Sequence, residues 1–121
     1  MAAKFEPKVP VNLNPPKTGL ITLEELAKAD GTEGRKAYVA IKGRVYDVSG
    51  NKMYQAGGSY HVFTGKDASR ALAKTSTKPE DVQPEWRDLD EKEQRVLNDW
   101  ITFFSKRYNI VGFVQGATNI E

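Results

Sequence analysis

The chain of 121 residues contains no cysteine. Disulfides, thiolate nucleophiles, cysteine-ligated structural zinc and thiolate-ligated haem or iron–sulfur centres are therefore excluded. It contains one histidine, His61, so a site needing two histidines cannot be built within one chain. Neither sign of charge dominates: 18 lysines and arginines against 16 aspartates and glutamates leave a net charge of +2. A nucleic-acid binder would carry a clustered basic face, and this balance argues against one. No window approaches the ~18 consecutive apolar residues of a membrane-spanning helix. The first sixteen residues, Met1 to Pro16, lack the apolar core of a secretory signal.

The residues that are present fit one soluble α+β domain. Hydrophobic residues make up 39% and charged residues 28%, the balance of an ordinary globular protein. A chain this long buries roughly two-thirds of the surface its unfolded form exposes, enough for a real core. Pro7, Pro10, Pro15 and Pro16 exclude a helix at the start, so residues 1–19 read as an extended arm. The domain is expected over 20–116, with 117–121 as a tail.

Within it, Thr22 and Glu25 form a capping box. They open a short helix carrying Leu23, Leu26 and Ala27 on one side and ending at Asp30-Gly31. Residues 37–42 and 44–48 are β-rich on either side of Gly43, which predicts a hairpin. A glycine-containing loop covers 49–59. A second short helix is expected over 67–74, with Asp67 as its N-cap and Leu72 facing inward. Residues 78–86 contain Pro79 and Pro84 and read as a connection. The clearest helix runs from Glu91 to about Lys106, capped by Asp90 with Glu93, its buried stripe Val96, Leu97, Trp100, Ile101 and Phe104. A last strand is expected over 110–115.

Four groups of residues bear on chemistry. Tyr54 and Tyr60 stand six apart around the pair Gly57-Gly58. Glycine lets a backbone approach a flat ligand closely, and a tyrosine oxygen can hold haem iron. The same spacing also suits two packed tyrosines in a glycine loop, with their hydroxyls satisfied locally. His61 reads as a packing or surface residue before it reads as a ligand. Gly65-Lys66-Asp67 lacks the second glycine and the Ser/Thr of a phosphate loop, and Asp67 would repel phosphate. Lys106, Arg107 and Tyr108 close the long helix, where cations favour the negative end of its dipole; they could also neutralise a ligand's carboxylates. No catalytic dyad or triad emerges, so the chain does not read as an enzyme.

The order of five blocks carries a resemblance: Tyr38 to Val48; Tyr54 with Gly58-Ser59-Tyr60; Phe63 to Ala73; Leu97 to Trp100; and Tyr108 to Gly112. Together they are similar to the membrane-associated progesterone receptor family, the cytochrome b5-like haem/steroid-binding domain. The resemblance covers roughly residues 20–115 and implies a small mixed sheet with short helices around a pocket for haem b. True cytochrome b5 proteins clamp iron between two histidines, which this chain cannot do. The resemblance implies iron ligation by Tyr60 instead, with Tyr54 hydrogen-bonding near the haem. Tyr108 matches a further pocket tyrosine, and Arg107 stands where relatives often carry lysine. Gln55-Ala56-Gly57-Gly58 departs from the Gly-Pro-x-Gly of some members, and the loop after Val48 is about one residue shorter.

In function, the resemblance implies a haem carrier or chaperone, or a regulator of haem-thiolate monooxygenases in sterol metabolism. One uncovered haem face would suit a haem-stacked homodimer. Deprotonating a phenol of pKa about 10 at neutral pH costs roughly 4 kcal/mol, so affinity should depend on pH and on oxidation state. Two alternatives remain: a steroid- or lipid-binding interaction adaptor without haem, and a soluble electron carrier. The proline-rich arm, where many relatives have a membrane helix, implies a cytoplasmic protein or one peripheral at the endoplasmic reticulum.

Overall fold

A computed structural model describes residues 13–120; positions 1–12 of the expected arm, and residue 121, lie outside them. The elements are β1 (Leu20–Ile21), α1 (Leu23–Lys28), β2 (Tyr38–Ile41), β3 (Arg44–Asp47), α2 (Ser69–Ala73), α3 (Glu91–Arg107) and β4 (Asn109–Val114), with short 3-10 turns between β3 and α3. The sheet order is β1-β4-β3-β2, with β1 parallel to β4 and the other pairs antiparallel. This is the α+β, cytochrome b5-like arrangement that the sequence pattern implied.

The hairpin forms for a local reason. Lys42 and Gly43 both take positive φ, 49° and 78°, the two-residue geometry whose twist matches the flanking strands. β2 then alternates between two cores. Val39 and Ile41 join the larger one, with Tyr46, Leu72, Leu97 and Phe104. Ala40 joins the smaller, with Leu26, Val45 and Val114. Both sheet faces are therefore covered, which accounts for the nearly continuous apolar runs of β2 and β3.

Several local expectations change. Thr22 and Glu25 make the reciprocal capping box, but α1 buries Leu26 and leaves Leu23 and Ala27 exposed. Asp67 is not the N-cap of α2; Ala68 is. The Asp67 carboxylate reaches further. Oδ1 accepts from the Ser69 amide and hydroxyl, and Oδ2 accepts from the Gly43 amide and Asn119 Nδ2. One side chain thus fastens α2, the hairpin turn and the C-terminal segment. Asn119, placed by sequence in a tail, is buried, and its carbonyl accepts the Trp86 indole N–H at 2.7 Å. Asp90 caps α3 through the Glu93 amide. Of the expected stripe only Leu97 and Phe104 are fully buried; Val96, Trp100 and Ile101 are half-buried. Trp100 is held at the surface of the core because it forms part of a cleft.

Candidate haem or steroid cleft

The cleft begins with the loop after β3. Asn51 caps a 3-10 turn, Lys52–Tyr54, and the turn drives the Tyr54 ring into the core, 4% exposed. The chain then reverses. Gly57 takes a φ of 87°, and Gly58 lies so close to the Met53 backbone that a β-carbon would collide with it. The Tyr60 amide donates to the Met53 carbonyl at 2.9 Å and closes the loop. The glycine pair thus serves the loop's own backbone, and neither glycine lines the cleft.

The result is two phenols side by side. The Tyr54 and Tyr60 ring centroids are 5.6 Å apart. Tyr60 remains 37% exposed and stacks on Phe63 at 6.0 Å. Opposite stand Ala71 and Leu72 of α2, the rim Thr75–Thr77, and Trp100 of α3. They enclose about 420 Å³ of space open to solvent, within the range of small-molecule sites. Among the described residues, neither the Tyr54 nor the Tyr60 hydroxyl has a hydrogen-bond partner. Burial pushes the Tyr54 phenol well above its ordinary range, and the neighbouring Tyr108 and Tyr60 add to the effect, so Tyr54 stays neutral.

The other candidates fall around this pair. Tyr108, at the C-terminal cap of α3, meets Tyr54 edge-on at 6.2 Å and Phe104 at 5.1 Å, and its hydroxyl accepts from Asn51 Nδ2 at 2.9 Å. Arg107 lies over the Phe103 ring, 3.8 Å from its centroid, and is not a wall of the cleft. His61 Nδ1 meets the Tyr54 carbonyl at 3.1 Å. A carbonyl only accepts, so that nitrogen carries the proton and the ring is used in packing. Sequence reasoning missed Thr75–Thr77 and Asn51. Asn51 was legible as a capping residue; nothing marked the threonines.

The donor chemistry can be tested against a haem. Among the described residues no group of three or more histidines or carboxylates could hold a metal ion. A phenol at the open end of an apolar slot is what one-sided ligation of haem iron by tyrosine requires, and Tyr60 meets that condition. The same apolar walls also suit a rigid steroid.

Comparison with known proteins bears on the fold and the slot together. The "Cytochrome b5-like Heme/Steroid binding domain" family matches residues 22–108. "Probable steroid-binding protein 3" of Arabidopsis thaliana is 53% identical over 95 residues, 77% of this chain and 95% of that protein. "Cytochrome P450 regulator dap1" of Schizosaccharomyces pombe is 39% identical over 99 residues, 75% of this chain and 60% of that one. Membrane steroid-binding proteins of Oryza sativa subsp. japonica and Arabidopsis thaliana also match, and the chain spans only 39% to 53% of their length. Among solved structures, a hypothetical Arabidopsis thaliana protein with a cytochrome b5 like fold superposes with a TM-score of 0.72 at 48% identity, over 80% of this chain and 91% of that one. These relatives are named for steroid binding or regulation, and among the described residues no helix is long and apolar enough to cross a membrane. One family thus accounts for most of the chain, including every element that builds the cleft, and the protein belongs to the cytochrome b5-like haem/steroid-binding domain family, in its membrane-associated progesterone receptor branch.

Proposed function

We propose that this protein binds haem b through the Tyr60 oxygen and acts as a non-enzymatic haem carrier or as a regulator of haem-thiolate monooxygenases. One observation carries the reading: two adjacent phenols sit in contrasting environments, Tyr54 buried and held neutral, Tyr60 at the open end. Adjacent phenols resist double ionisation, and pairs pushed apart in this way divide their roles. Tyr54 stays a hydrogen-bond donor, while Tyr60 is placed to meet a metal as phenolate. When bound, haem would supply a ferric centre for that oxygen. Phe63, Leu72 and Trp100 offer apolar faces for a flat ring, and Tyr108 and Arg107 lie at the end of α3 beside the tyrosines. A phenolate prefers ferric over ferrous iron, so reduction is expected to loosen the ligand. That disfavours a soluble electron carrier. The regulatory role draws on the relative named as a cytochrome P450 regulator, and an exposed ring face would suit docking of a partner or of a second copy.

A steroid ligand is the second reading, favoured by the mainly apolar walls. Haemin titration of wild type, Tyr60→Phe and Tyr54→Phe separates the two. The haem reading expects a wild-type Soret band that Tyr60→Phe shifts and weakens. Identical spectra and affinities in wild type and Tyr60→Phe would remove Tyr60 as the ligand. A wild type that refuses haemin but binds a steroid would favour the second reading.

A further inference from the structure

Asn51 stands behind the tyrosines. Its Oδ1 accepts from the Met53 amide and its Nδ2 meets the Tyr108 hydroxyl, both at 2.9 Å. This assignment is fixed by chemistry. A backbone N–H can only donate, so the atom facing Met53 is the oxygen; the atom facing Tyr108 is then the NH2, which can only donate. Tyr108 is therefore an acceptor on that side. Its own proton must lie on another side of the oxygen. The Tyr108 ring packs edge-on against Tyr54, which in turn lies against Tyr60.

We propose that Asn51 is a positioning residue for the tyrosine cleft: by donating to Tyr108 it turns the Tyr108 proton away from itself and toward the other phenols, where it supports a negatively charged oxygen at Tyr60. The inference rests on Tyr60 being the haem-binding phenolate. It adds the residue that sets the polarity of the network. One amide performs two tasks, since its oxygen also holds the turn that places Tyr54.

Two substitutions keep the cap and change the donor. Asn51→Asp retains an oxygen for the Met53 amide but presents a second acceptor to Tyr108, reversing that hydrogen bond. Asn51→Ser retains a neutral cap and is too short to reach Tyr108. Haemin affinity at neutral pH is expected to fall roughly tenfold or more in Asn51→Asp and less in Asn51→Ser, since a hydrogen bond to a charged oxygen is worth about that factor. The ferric spectrum should shift in both, with thermal stability close to wild type. In the haem-free protein, the Asn51 side-chain amide protons should exchange slowly, and Tyr108→Phe should release them. Wild-type spectra and affinity in both variants would overturn the proposal, as would fast-exchanging amide protons in the wild type. Failure of wild type itself to take up haemin would instead remove the underlying haem reading and, with it, this role for Asn51.

Discussion

The Met53 carbonyl oxygen lies against the α-carbon of Gly58, closer than any β-carbon could approach. The same oxygen accepts the Tyr60 amide. Placement of the exposed tyrosine therefore depends on the missing side chain two residues earlier. Gly58→Ala must push two backbone segments apart, an overpacking that costs about 1–3 kcal/mol, and it should displace Tyr60. Gly57→Ala meets no neighbour but is strained by its positive φ, at about 1–2 kcal/mol. Thermal melts with NMR of the Tyr60 amide distinguish them. Only Gly58→Ala should move that resonance strongly, and an equal response would refute the close-approach account.

Tyr54→Phe tests whether the buried hydroxyl exists for the ligand. Among the described residues that hydroxyl has no partner, and an unpaired buried polar group is a burden of about 1–3 kcal/mol. Removing it should leave the haem-free protein as stable as wild type or more stable. Haemin affinity should fall. A clear loss of stability in urea unfolding would mean that the hydroxyl serves the fold.

Legibility from sequence followed the range of the interactions. The capping residues of α1 and α3 and the two-residue turn of the hairpin act within three or four positions, so they could be read directly. The parallel pairing of Leu20 with Phe113 could not, because it joins residues far apart in the chain. Asp67 was visible as a capping type, but its partners Gly43 and Asn119 arrive from distant segments. Lys42 is the strongest reversal. A lysine in a hairpin turn reads as exposed, yet it is 1% exposed, with Nζ bonded to Asn98 and 3.9 Å from the centre of the Trp86 ring. In the cleft, Tyr54, Tyr60 and Tyr108 stood out by residue type and resemblance. The wall residues Leu72 and Trp100 looked like ordinary core, since a cleft wall and a core face share one periodicity.

Asp67 gives a pH signature of unusual sign. Burial raises its carboxyl above the ordinary aspartate value, against the opposing hydrogen bonds from Ser69, Asn119 and Gly43. A group whose folded pKa is raised binds its proton more tightly when folded. Its contribution is full below the unfolded value and is lost as pH rises through the folded one. Asp67→Asn should cost about 1–3 kcal/mol, because one amide N–H would face other donors. The gap between wild type and variant should be widest in acid and narrow as pH rises above the ordinary aspartate range. Paired thermal melts across that range check the sign; a gap that widens with pH would show the anion to be the favoured form.

Thr75 breaks a local rule at the cleft's edge. α2 ends in a Schellman arrangement: the Ser76 amide donates to Ala71 and the Thr75 amide to Leu72. The residue at the bend takes a left-handed conformation, where glycine is the usual choice. Here it is a β-branched threonine with φ 52°, a strained placement. Such strain persists where the side chain has other work, and Thr75 is one of the residues lining the cleft. Thr75→Gly should relieve the strain and stabilise the haem-free protein, offset in part by the freer unfolded chain, for a net gain of about 0.5–1 kcal/mol. Thr75→Ala keeps the β-carbon and should gain less. If the threonine is retained for its contact with a ligand, both variants should bind haemin or steroid more weakly while Thr75→Gly melts higher. A lower melting temperature for Thr75→Gly would mean that packing of the threonine outweighs the backbone strain, and the rim would then be structural.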